Sequence, residues 1–96
     1  MHHLVARFSL LPTDSGGRKS PIPAGQFRTV IGQSDDYFSA AIFPAAPISP
    51  GGESVTCPVT FLLPDEALPQ FPVGRAFELW EGGVKGHGQV VEICGS

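Results

Sequence analysis

The residues able to do chemistry are few and scattered. The soft ligands are His2, His3, His87, Cys57 and Cys94. None has the paired spacing, of the Cys-x-x-Cys kind, that brings two ligands onto one metal ion. Acids pair at Asp35-Asp36 and Asp65-Glu66, but both pairs lie in turn-like stretches, where acids commonly serve the backbone. Ser9, Ser20, Ser34, Ser39 and Ser54 are dispersed, and no Gly-x-Ser-x-Gly elbow activates any of them. A nucleophile with a base and an orienter is not visible, so no catalysis, no cofactor and no metal are expected. Arg18-Lys19 is the densest positive charge. It suits a phosphate or an acidic partner, and equally a solvated loop; the solvated loop is the favoured reading. No Gly-x-x-x-x-Gly-Lys-Ser/Thr phosphate loop occurs, so GTP binding is not expected.

Composition narrows the class. Ninety-six residues suit one domain, taken as residues 1–96. Twelve Gly and ten Pro are too many for long helices or uninterrupted central strands, and point to short strands joined by fixed turns. The net charge of -3 disfavours a general nucleic-acid binder, which normally carries a basic stripe. No run approaches the roughly 20 apolar residues needed to span a bilayer. The first residues lack a basic region followed by an apolar block, so a cytoplasmic location without membrane attachment is expected. Cys57 and Cys94 could form one disulfide or remain thiols; in a reducing compartment free thiols are favoured.

Alternation then places the strands. Val5–Leu11 sets Ala6, Phe8 and Leu10 on one face and Val5, Arg7, Ser9 and Leu11 on the other. Further strands are read at 26–31, stopped by Gly32, at 37–43 and at 53–62. In the last of these Val55, Cys57, Val59 and Phe61 share a face. Pro58 in its middle demands an edge strand, or an N–H position pointing away from the ladder. A helical turn is allowed at 65–68. Residues 74–93 form a closing hairpin around Gly82-Gly83, with strands at 76–81 and 89–93. In its first strand Phe77 and Leu79 face the core, and Glu78 and Trp80 face outward. Trp80 is then either an anchor for a partner or a rim residue covering a barrel end. About six short strands fit a small barrel.

Three segments carry a family resemblance. Ala6 to Ile22 contains a strand, an acidic turn and Gly16-Gly17-Arg18-Lys19-Ser20-Pro21. Ile48-Ser49-Pro50-Gly51-Gly52 precedes a Val-rich strand. Arg75-Ala76-Phe77-Glu78-Leu79-Trp80-Glu81-Gly82-Gly83 is followed by Gly86-His87-Gly88-Gln89-Val90-Val91. In this order and spacing they resemble the C-terminal barrel (domain 3) of bacterial elongation factor Tu, over nearly the whole chain. The resemblance implies an all-β fold, a single six-stranded antiparallel β-barrel, in agreement with the strand count. It also implies a surface for the T-stem of aminoacyl-tRNA at the positions of Gln26, Glu81 and Gly82. The plainer reading, a strand start at Gln26 and a turn at Glu81-Gly82, is favoured there. Trp80 stands where that family has arginine, and the family's segment around Gln26 is reduced to Gly25-Gln26-Phe27.

The expected function is therefore a stand-alone, non-catalytic binding module. Its expected partner is a protein: a translation component, a toxin that targets the factor, or a second copy of this chain. The alternative is a small RNA-binding accessory that keeps part of the T-stem contact. The candidate contact residues are Gln26, Trp80, Glu81, Gly82, Arg18 and Lys19.

Overall fold

Six strands close into an antiparallel barrel in a computed structural model that describes residues 2–94. They are β1 (Leu4–Leu10), β2 (Phe27–Gln33), β3 (Asp36–Ile42), β4 (Val55–Phe61), β5 (Ala76–Trp80) and β6 (Val84–Ile93). Round the barrel their order is β1-β4-β3-β2-β5-β6, back to β1. Closure leaves no free sheet edge, which is how a chain this short avoids exposing unpaired backbone.

The inward faces follow the alternation of the sequence. Leu4, Ala6, Phe8 and Leu10 of β1 are buried, as are Cys57, Val59 and Phe61 of β4 and Phe77 and Leu79 of β5. Val55, at the start of β4, is only partly buried. Cys57 and Cys94 are free thiols. Burial pushes the Cys57 thiol up to about 11, against a smaller lowering by a backbone hydrogen bond with Phe43. At neutral pH this group is a packed apolar side chain rather than a nucleophile.

Pro58 meets neither of its two alternatives. Strand β4 has neighbours on both sides, so it is not an edge strand. The Pro58 carbonyl accepts the Phe43 N–H at 3.0 Å, just past the end of β3 at Ile42. In an antiparallel pair the N–H and C=O of one residue face the same neighbour. The missing N–H therefore faces β3 at Phe43, so that pair keeps one hydrogen bond and the β3–β4 register ends just before it, at Ile42–Val59.

Two strands run further than the sequence reading allows, and glycine is the reason in both. Strand β2 continues through Gly32 to Gln33 instead of stopping there. A side chain at 32 would run into the Asp36 carbonyl and the Tyr37 backbone. Strand β6 begins at Val84, not Gln89, and includes Gly86 and Gly88. At Gly88 a Cβ would meet the Phe77 ring and, at 2.9 Å, the Arg7 carbonyl. These glycines permit close approach within the sheet rather than ending a strand.

Loops complete the core at both ends. Ile22 and Ile48 exchange backbone hydrogen bonds of 2.9 Å in each direction, and both are fully buried. They close the end of the barrel where β1 stops and β2 starts. The segment after β4 forms α1 (Pro64–Ala67) and a 3₁₀ turn at Leu68–Gln70. It delivers Phe71 into the opposite end, against Phe38, Phe61 and Phe77 with ring centroids 4.9–5.8 Å apart. No helix among the described residues is long and apolar enough to cross a membrane.

Among the described residues, one buried side-chain polar atom has no partner. Thr29 Oγ1 is buried without a hydrogen bond, facing inward on β2 between Phe27 and Ile31. An unsatisfied buried hydroxyl costs about 1–3 kcal/mol. Thr29→Val keeps the branched shape and is expected to raise the unfolding free energy by about 1 kcal/mol, measured by urea denaturation. A clear loss of stability would show that the hydroxyl is bonded in solution.

Candidate interaction surface

The barrel has two short seams. Strands β3 and β4 share three register pairs, and so do β2 and β5, at Val30–Trp80, Ile31–Leu79 and Gly32–Glu78. By contrast β2 and β3 align from Phe27–Ile42 to Gln33–Asp36. Polar groups reinforce the β2–β5 seam at both ends.

At one end the loop after β1 folds back as a clip. Gly16 takes up φ +89° after a 3₁₀ turn at Thr13–Ser15, a conformation natural to glycine. The Thr13 hydroxyl donates to the Arg18 carbonyl at 2.7 Å. Lys85 Nζ donates to the Gly16 carbonyl at 3.0 Å. Arg18 then crosses to the β5–β6 turn. Its Nη1 donates to both carboxylate oxygens of Glu81, at 2.6 and 2.8 Å. Its Nε donates to the Ser20 carbonyl at 3.0 Å. The guanidinium carbon lies 4.8 Å from the centre of the Phe27 ring. One side chain thus joins the first residue of β2 to the residue after β5, beyond the last register pair. Its planar group uses an edge and a face at once, which lysine cannot do.

At the other end, Tyr37 of β3 reaches across β2. Gly32, without a side chain, lies between them. The Tyr37 hydroxyl donates to Glu78 Oε1 at 2.9 Å. Its ring packs on Trp80, with centroids 5.4 Å apart and planes tilted by 44°. Donation to the carboxylate favours the protonated phenol and raises the Tyr37 pKa, with smaller contributions from burial and from the charges of Glu78 and Asp35.

Outward residues in the same register form a row across four strands. Trp80 of β5 sits opposite Val30 of β2. Val30 sits opposite Ser39 of β3. The Ser39 carbonyl accepts the Leu62 N–H, just after β4, at 3.0 Å. Trp80 is 40% and Leu62 73% exposed. Beside this row lies an open groove of about 560 Å³ along β2, β3 and the end of β4, with Arg28, Val30, Ala41, Phe43 and Leu62 on its walls. Arg28 is exposed. Among the described residues the ion pair present is Arg18–Glu81, so Arg28 faces the groove without an acid.

The six candidate contact residues separate into different roles. Arg18 and Glu81 are brought together and engage each other. Gly82, at φ +70°, makes the β5–β6 turn. Trp80 is on the outer face as alternation predicts, packed on Tyr37. Gln26 borders the groove. Lys19 is exposed and joins none of these contacts. Arg28, Val30, Tyr37 and Leu62 were not singled out in the sequence. Alternation along 26–31 does place Arg28 and Val30 on one face, but nothing in one chain marks that face as outer until the neighbouring strands are known. Among the described residues no group of three or more His, Cys, Asp or Glu side chains is placed to hold a metal ion.

Tyr37 is the chain's one tyrosine, so its ionisation can be followed without interference. Native protein is expected to form tyrosinate only above the ordinary value near 10, and Glu78→Gln to bring the midpoint back down. Because the folded value is raised, the stabilising contribution is full at neutral pH and lost as pH rises through the native midpoint. Equal midpoints in wild type and Glu78→Gln by ultraviolet titration would contradict the Tyr37–Glu78 hydrogen bond.

No protein-family model and no curated protein matches the chain.

Proposed function

We propose that the protein is a non-catalytic protein-interaction module, related to the C-terminal barrel of elongation factor Tu, that binds through the outer face of β5, β2 and β3. The observation that carries this reading is the row Trp80–Val30–Ser39–Leu62 beside the groove. Large aromatic side chains flanked by aliphatic ones are the usual anchors of protein interfaces. Tyr37 packing limits the freedom of Trp80, so less entropy is lost when a partner covers it. On this reading the module works in the cytoplasm, with a translation component, a toxin or a second copy of the chain as partner.

The RNA-binding alternative uses Gln26 and Glu81-Gly82. Glu81 already accepts two hydrogen bonds from Arg18, which supports the protein reading. That pair occupies the carboxylate needed for a ribose hydroxyl and also the nearest strong cation. Phosphate contacts supply most nucleic-acid affinity, and the net charge of -3 works against it.

Parallel pull-downs from native lysate with wild type and Trp80→Ala test the proposal. A specific protein retained by wild type and lost by the variant is the expected result. A low-salt gel shift with aminoacyl-tRNA that weakens on Gln26→Ala would instead favour the RNA reading.

A further inference from the structure

The same face carries two unlike halves. One half is the groove with Arg28, exposed and without an acid, beside Val30 and Trp80. The other begins at the groove's rim and continues as Leu62-Leu63-Pro64-Asp65-Glu66. Leu62 is 73% and Leu63 56% exposed, and Asp65 and Glu66 are exposed. Neither acid forms an ion pair among the described residues. Two neighbouring leucines held out in solvent gain nothing for the folded monomer, whose core is already closed at that end by Phe71.

The halves complement each other in kind. The leucines match the apolar walls of the groove, and the carboxylates match the unpaired guanidinium. They do not satisfy each other within one chain: Leu62 is itself part of the groove wall, and neither acid pairs with Arg28. A two-fold contact places each half of one copy on the opposite half of the other, as an isologous interface requires. We infer that the occupant of this face is a second copy of the chain, with Leu62–Glu66 of each protomer seated on the groove of its partner and the acids of α1 paired with Arg28. This inference rests on the interaction-module reading and names its partner.

Sedimentation equilibrium over a concentration series tests it. Wild type is expected to dimerise. Arg28→Glu is expected to weaken the dimer by about tenfold or more, and so is the double variant Asp65→Arg/Glu66→Arg. Combining the three substitutions reverses both charges and is expected to restore association. All these positions are exposed, so unchanged unfolding midpoints confirm that each variant is folded. A wild type that stays monomeric throughout overturns the inference, as does a folded charge-reversed triple variant that remains as weak as its parents. A monomeric wild type that still retains a protein through Trp80 overturns the dimer alone and leaves the interaction module standing.

Discussion

The structure depends on how a three-pair seam between β2 and β5 is kept shut. Closing a sheet of six short strands requires staggered neighbours, and here the stagger leaves these two strands little shared length. Backbone pairing alone is weak over three residues. Arg18 extends the seam at one end by joining Phe27 to Glu81. Tyr37 extends it at the other by crossing Gly32 to Glu78. Both devices are polar and partly exposed, so each contributes modestly. Their value lies in location, at the two ends of one of the barrel's two three-pair seams.

The same arrangement fixes what the surface can do. Tyr37 holds Trp80 against the sheet, and Trp80 continues the apolar row through Val30 to Leu62. Glu81 and Arg18, two of the residues with the most evident capacity for charged recognition, are used to hold the loop. Beside the groove, the charge left for a partner is Arg28 and, past Leu62, the acids of α1. The Trp80 position thus combines two roles, with its inner neighbours in the seam and its outer surface in contact with solvent.

Much of the architecture was legible in the sequence because a period of two is written directly into side-chain types. Ala6, Phe8 and Leu10, and likewise Phe77 and Leu79, declare their burial. What was less legible depends on distant encounters. Ile22 and Ile48 lie in proline-rich stretches that read as connectors, yet each satisfies the other's backbone and fills a barrel end. Gly86 and Gly88 look like turn residues, and only the Ser9 carbonyl and the Phe77 ring pressed against them show why a strand needs glycine there. Arg18 and Glu81 are 63 residues apart. Local chemistry marked each as reactive toward something, but could not say that the something was the other.

Amide hydrogen exchange of the Arg18→Ala variant tests the seam most directly. The clip acts at one border, so its removal should open that border before the whole barrel unfolds. The amides of Val30–Gly32 and Glu78–Trp80 should then exchange markedly faster than in wild type, while those of the long β1–β6 ladder change much less. Uniform acceleration across all strands, or no change at the seam, would contradict the claim that Arg18 and Glu81 hold the barrel closed.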